Sequence, residues 1–396
     1  MPNAERMVGK MADLQNEMQT WRRDIHKYPE LGFCEERTAA KVSGLLTDFG
    51  LDVHTGIGET GVVGVLRRGD GNQAIGLRAD MDALPIQEAN DFPYRSVNDR
   101  VFHGCGHDGH TTMLLGAAKR LAKDGNFDGT VYFIFQPSEE DGRGALSMIG
   151  DGLFERFPME AVYGMHNMPG IPAGHFAVRK GAIMTSEDIF VITINGRGGH
   201  ASMPDRTVDP VVIGAEIVLA LQTIVSRSVG PQDWGVVSVT EILTDGARNV
   251  IPSRVTIKGD CRALEVHMQD RIETRMRQIV AGICAAHGAE GHVHYQHDFV
   301  VTVNTPNETE AAIAAARQVV GEEASVDPDC PTCGGSEDFA RMLQQKPGCY
   351  ILIGNGTEGH CGSSLHNSHY DLNDEILSVG CDYWVALVES QLSVRG

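Results

Sequence analysis

The chain has 396 residues, 42% of them hydrophobic and 22% charged, and its 33 basic against 53 acidic side chains give a net charge of −20. That is the composition of a globular chain and argues against a disordered, fibrous or membrane-spanning protein. The acidic balance excludes recognition of nucleic acid or anionic lipid through a general positive field.

The length exceeds what one core supports, which implies two domains or one domain carrying a large insertion. Met7, Met11, Leu14, Met18, Trp21 and Ile25 recur at spacings of three and four, the stripe of an amphipathic helix that Pro29 ends. A second helix is expected over 35–48, closed by Gly50. Strand-like runs follow at 61–66, 74–77 and 131–135, with a helix over 111–122 between the last two, and a short apolar run at 161–165 leads into His166. Apolar runs alternating with helices predict a mainly parallel sheet flanked by helices.

The rhythm changes after about residue 185. Strands at 188–194, 235–240, 254–262 and 293–297 interleave with helices over 208–226 and 267–285. This β-α-β-β-α-β order is that of a ferredoxin-like α+β unit. Residues 186–299 are therefore read as a smaller satellite domain inserted into a first domain of 1–185 and 300–396, whose rhythm returns with a helix over 308–320 and a strand over 348–353. The apolar stretch from Val211 to Val225 is broken by Glu216 and Gln222 and is too short to span a bilayer. Nine scattered cysteines form no disulfide framework. The N-terminus has no signal-peptide core, so the cytoplasm is the expected compartment.

The densest chemistry is Phe102-His-Gly-Cys105-Gly-His107-Asp-Gly-His110, a glycine-rich stretch just before a helix. On a loop, Cys105 and His107 can converge on one borderline-soft divalent ion. Glu139 and Glu140 follow the strand at 131–135, where open α/β sheets bind ligands, and an adjacent pair can serve as metal ligand and general base. His166 is expected at a third strand end, and His366 in a loop after a fourth. Five side chains (Cys105, His107, Glu140, His166, His366) are many for one catalytic ion and suit two, about 3.5–4 Å apart with a shared ligand. A thiolate or a carboxylate can bridge. Zn, Mn, Co or Ni all accept such a mixed donor set.

These motifs resemble the dinuclear metal amidohydrolases of the aminoacylase/carboxypeptidase clan, the branch with hippurate hydrolases, N-acyl-amino-acid deacylases and auxin-conjugate hydrolases. The resemblance covers almost the whole chain and rests on His26 with Pro29-Glu-Leu-Gly32, Arg78-Ala-Asp-Met-Asp-Ala-Leu-Pro85, Gly104-Cys-Gly-His-Asp-Gly-His110 and Phe135-Gln-Pro-Ser-Glu-Glu140. It continues through Gly199-His-Ala-Ser-Met-Pro204, Asn249-Val-Ile-Pro252, Ser336-Glu-Asp-Phe339 and Leu365-His366. It implies the same five residues as ligands of two divalent metal ions and Glu139 as the acid/base. It also implies a satellite domain that mediates dimerisation, and hence a homodimer or dimer-based oligomer.

In that family the residue matching His200 polarises the scissile carbonyl, often in the partner subunit's site, and domain closure would bring it there. Asn249 is a candidate for the same substrate surface. The expected reaction is hydrolysis of the amide of a small N-acyl amino acid or similar conjugate, with no nucleic acid or membrane as partner. The alternatives are a dipeptidase, a carbamoyl-amide hydrolase or an aryl-amine deaminase on the same site. A rival of another class is a thiol-redox or metal-buffering protein using Cys330-Pro-Thr-Cys333. Asp80, Asp82 and His110 either orient ligands or only cap and pack; His26, His103 and His369 are read as structural.

Overall fold

A computed structural model describes residues 2–321 and 325–394, with side chains from Asp13 onward. The Met7 and Met11 part of the first apolar stripe lies outside the described side chains. The chain divides into two compact units: Met1–Ile183, Val303–Pro331 and Asp338–Gly396 form the first, and Met184–Thr302 with Thr332–Glu337 the second.

The first unit begins with helices α1 (Pro2–Lys27) and α2 (Glu36–Asp48) and strands β1 (Asp52–Ile57), β2 (Gly61–Arg68) and β3 (Ala74–Asp80). Helix α3 (His107–Asp124), β4 (Gly129–Gln136), short helices α4 (Gly144–Gly150) and α5 (Leu153–Arg156), β5 (Ala161–Pro169), β6 (Phe176–Ala177) and β7 (Gly181–Met184) follow. All seven residues of β3 are buried, as in a strand covered on both faces.

The second unit contains β8 (Glu187–Asn195), β9 (Gly199–His200), α6 (Pro210–Thr223), β10 (Gly235–Thr244), β11 (Val250–Ile251), β12 (Arg254–Ala263), α7 (Val266–His287) and β13 (Glu290–Phe299). Its sheet has the order β10-β12-β8-β13 with every pairing antiparallel, the ferredoxin-like arrangement expected from the succession of elements. Phe190, Ile192 and Ile194 of β8 pack with Ile213, Ile217 and Leu221 of α6 and Ile272 and Met276 of α7 in one core. Helix α6 starts at Pro210, with the Asp209 side chain accepting the Val211 N–H at 2.9 Å as its cap. It runs on through a π turn to Ser228, so the helical stretch spans 19 residues and is long and apolar enough to cross a membrane, whereas the expectation that it is too short counted only the run from Val211 to Val225. One face of it, from Ile213 to Ile224, packs into the core of this α/β unit.

The chain returns to the first unit through β14 (Thr302–Asn304), α8 (Pro306–Val320), β15 (Val326–Asp327), α9 (Ala340–Leu343), β16 (Gly348–Gly356) and α10 (Ile376–Gln391). The completed sheet has the order β1-β2-β4-β3-β5-β16-β6-β15. Strands β4, β3, β5 and β16 are mutually parallel and form its centre. The β1–β2 hairpin and β6 add antiparallel pairings outside that parallel block, an addition the sequence reading did not contain. Helices α1, α3, α8 and α10 share one core with the sheet through Met18, Leu114, Leu121, Ala316, Leu377 and Trp384.

Candidate metal centre

Cys105 and His107 flank Gly106, whose left-handed φ of +88° lets α3 begin at His107 itself. A Cβ at Gly106 would lie 2.4 Å from both Asn167 Nδ2 and Tyr370 Oη, so only glycine fits there. The same two side chains lock the turn: Tyr370 donates to Asn167 Oδ1 at 2.7 Å, and Asn167 Nδ2 donates to the Cys105 carbonyl at 2.6 Å. The expectation that His107 lies on a loop ahead of the helix is corrected by this turn, because the left-handed glycine moves the helix start four residues forward.

Glu139 and Glu140 sit just past the carboxyl end of β4. His166 is the sixth residue of β5 and pairs with Leu352 of β16, so it projects from within a strand rather than beyond its end. His366 lies in the loop after β16 with a left-handed φ of +65°, and its backbone N–H donates to the Gly104 carbonyl at 2.8 Å. That bond ties the last loop of the site to the first.

Donor atoms of Cys105, His107 and His166 all lie within 4.8 Å of one another, as do those of Cys105, Glu140 and His366, and those of His107, Glu139 and Glu140. Cys105 Sγ is 3.4 Å from His166 Nε2, and Glu140 Oε1 is 3.5 Å from His366 Nε2 and 3.8 Å from His107 Nε2. The other nitrogen of each buried ring is already engaged. His107 Nδ1 meets Asp82 Oδ1 at 3.2 Å, and His166 Nδ1 meets the Asn167 carbonyl at 2.5 Å. Donation from these Nδ1–H groups leaves both Nε2 lone pairs facing the centre.

The electrostatics fit a cation. His107 Nε2 and Glu140 Oε1 are buried with no hydrogen-bond partner among the described residues, which costs free energy unless something occupies the space between them. Burial works against charge on His107, yet Asp80, Asp82 and Glu140 outweigh it and push its pKa up to about 10. Burial, then the carboxylates of Glu140, Glu139 and Asp80, drives the Cys105 thiol well above its ordinary value. Burial keeps His166 neutral, well below the usual histidine range. A surplus of buried carboxylates around a thiol and a neutral imidazole is an environment that divalent cations would neutralise, and coordination would deprotonate the thiol outright.

Around these donors stands a layer that the sequence left undecided. Asp82 orients His107 through Oδ1 and accepts the Glu140 N–H through Oδ2 at 3.0 Å. Asp80 Oδ1 meets His110 Nδ1 at 2.7 Å, and His110 Nε2 accepts the Asn167 N–H at 2.9 Å. Arg78, fully buried, reaches Asp80 at 2.7 Å and Asp338 at 3.0 Å. Asp338 in turn presents its backbone N–H to Glu139 Oε1 at 3.4 Å. His26 joins Asp108 at 2.8 Å in a buried cluster with Arg22, which supports the helix start rather than the centre. Asp338 lies in the Ser336-Glu-Asp-Phe339 motif, expected to support the ligand loop, whereas Glu35, Arg22 and Asn167 carry no such signal, since a buried polar group gives no periodic pattern.

His200 and Asn249 belong to the second unit. Strand β9 pairs His200 with Val250 of β11, and the Asn249 carbonyl accepts the Ala201 N–H at 3.0 Å, so the two residues are neighbours on one small ribbon. Burial and Asp327 push the Cys330 thiol up to about 11, the opposite of a reactive redox cysteine.

Residues 76–390 match the model of peptidase family M20/M25/M40. A hippurate hydrolase from Campylobacter jejuni is 42% identical over 96% of this chain and 98% of its own length. An IAA-amino acid hydrolase from Arabidopsis thaliana is 37% identical over 91% of this chain and 81% of its own. The crystal structure of a dinuclear metal-binding peptidase of the M20 family from Bacillus subtilis superposes with a TM-score of 0.84 at 29% identity, covering 97% of this chain and 100% of that one. With its sheet and these likenesses extending over nearly its full length, the chain belongs to peptidase family M20/M25/M40.

Proposed function

We propose that this protein hydrolyses the amide bond of N-acyl amino acids or similar amide conjugates at a site holding two divalent metal ions. The observation that carries the reading is the gathering of Cys105, His107, Glu140, His166 and His366 beside Glu139, although their positions span residues 105 to 366. Cys105, His107, Glu140, His166 and His366 would hold the two ions between them. When bound, the ions supply Lewis acidity that polarises the scissile carbonyl and acidifies water. Zn, Mn, Co and Ni all suit the donor set.

Glu139, 6% exposed and next to a ligand in sequence, takes the proton of the attacking water on its carboxylate and returns it to the nitrogen of the leaving amine. Its Oε1, held by the Asp338 N–H, keeps the carboxylate in one orientation for both transfers. His200 is read as the donor to the carbonyl oxygen as negative charge develops there, and Asn249 as its neighbour on the substrate surface. A homodimer formed through the second unit is part of the same proposal. Helix α6 leaves Val211, Val212 and Leu219 exposed, and the edge strand β10 leaves Ile242 and Leu243 exposed, an apolar surface that a second copy would cover.

The test is metal analysis of the purified protein followed by assay on N-acetyl, N-benzoyl and indole-acetyl amino acids with detection of the free amine. Glu139→Gln should retain both metals and lose about 10²- to 10⁴-fold in turnover. Undiminished turnover in that variant would remove Glu139 from the chemistry, and undiminished turnover in His200→Ala would do the same for His200.

A further inference from the structure

The segment that carries Glu139 and Glu140, between the end of β4 and the start of α4, is a run of turns without regular secondary structure. Three buried carboxylates from elsewhere in the first unit hold backbone N–H groups of this segment and of the first turn of α4 that follows it. Asp82 takes the Glu140 N–H at 3.0 Å, Asp338 takes the Ala145 N–H at 2.8 Å, and Glu35 Oε1 takes the Ser138 N–H at 2.8 Å. The first two touch other parts of the site as well. Glu35 does not: its remaining oxygen accepts the Thr60 hydroxyl at 2.5 Å, and the side chain is wholly buried beneath the turn.

Ser138 is one of the non-glycine residues held in a left-handed conformation. Its φ of +48° is left-handed, a conformation that costs a residue with a side chain about 1–2 kcal/mol and persists only where surroundings enforce it. The turn is also packed from below, since a Cβ on Gly32 would come within 2.5 Å of Ser138 Oγ. Glycine at 32 lets the segment bearing Glu35 approach closely enough for its carboxylate to reach the strained amide. A buried carboxylate is costly to keep; burial pushes the Glu35 carboxyl up to about 7 even with both donors in place. It is retained at the one amide whose direction fixes how the next residue leaves the turn.

We propose that Glu35 is a positioning residue for Glu139: by holding the N–H of left-handed Ser138, it sets the direction in which the Glu139 carboxylate projects from the end of β4. Glu35 touches no reacting atom and no proposed metal ligand. The inference rests on the reading of Glu139 as the proton-transferring group. A misplacement of about 1 Å in such a group costs on the order of 10²-fold in rate.

Glu35→Ala should therefore lower kcat by about 10- to 100-fold while changing KM less than about threefold. Metal content should stay at the wild-type value, and amide hydrogen exchange should speed up across residues 136–145 but not in α10. Glu35→Gln, whose amide oxygen can still accept from Ser138, should restore most of kcat and the slow exchange. Glu35→Asp, one methylene too short to hold Ser138 and Thr60 together, should fall between the two, and it serves as the probe if the alanine variant does not fold. Wild-type kcat in Glu35→Asp or Glu35→Ala, beside an inactive Glu139→Gln, overturns the inference and leaves the amidohydrolase reading standing. Equal losses in Glu35→Gln and Glu35→Ala, with exchange raised throughout the first unit, also overturn it, because they mark a general stabilising role. Full activity in Glu139→Gln sinks the underlying reading instead.

Discussion

At the scale of single residues, the centre depends on side chains that use both of their polar ends. Asp82 holds the His107 ring with one oxygen and the Glu140 amide with the other, so two neighbouring donors share one support. Asparagine at this position keeps the volume and loses one acceptor. Asp82→Asn should weaken metal binding by about 10- to 100-fold, the usual effect of removing a partner that orients a ligating histidine. A competitive chelator titration checks this, and an unchanged affinity would show that His107 needs no such support. Cys105 and the histidines were legible in the sequence because their residue types and spacing are rare together. Asp82 was only half legible: its place beside Asp80 at a strand end allowed either an orienting role or a capping one, and only the 3.2 Å contact decides.

At the scale of elements, periodicity carried the reading where one face is buried and failed where it is not. Helix α7 buries Met268, Ile272, Met276, Val280 and Cys284, a regular four-residue spacing that the sequence displays. Strand β1, Asp-Val-His-Thr-Gly-Ile, buries only its last residue and holds just two strongly apolar side chains, too few to signal a strand. The start of α3 was misplaced for another reason: helix propensity says nothing about a left-handed glycine fixed by Asn167 and Tyr370. What anchors that helix start is also invisible in sequence. Arg22, fully buried in α1, meets Asp108 at 2.8 Å in the first turn of α3, Asp371, and Asp374 at 3.4 Å in the loop before α10. Burial opposes its charge, yet Asp371, Asp108 and Asp374 keep the guanidinium more firmly protonated than usual. Arg22→Ala leaves buried carboxylates without their counter-charge and should destabilise the first unit by about 3–5 kcal/mol. Urea unfolding measures this; a loss under about 1 kcal/mol would mean that solvent reaches the cluster and screens it.

At the scale of the molecule, the apolar surface of the second unit makes a claim about assembly. Leu219 is 73% exposed and Ile242 56%, on α6 and on the edge strand β10 respectively. An uncovered strand edge with apolar side chains beside it invites pairing with another chain. If the second unit dimerises as proposed, the wild type should sediment as a dimer and Leu219→Glu combined with Ile242→Glu as folded monomers in sedimentation velocity. A monomeric wild type, or a variant that still sediments as a dimer, would overturn an interface on this surface. The strand order of the second unit was legible, because a β-α-β-β-α-β succession implies its sheet order.

Strand β16 enters the large sheet between β5 and β6, although about 170 to 180 residues separate it from them in the chain. A nascent polypeptide emerging from the ribosome therefore exposes a gap in its sheet until residues 348–356 have been made. His166, on the rim of that gap, waits for its strand neighbour Leu352, while the 184–302 insertion has all of its own strands in hand. Maturation of the larger body is thus deferred until β16 has been synthesised, and interior strands left bare for that interval are the stretch a chaperone would meet first.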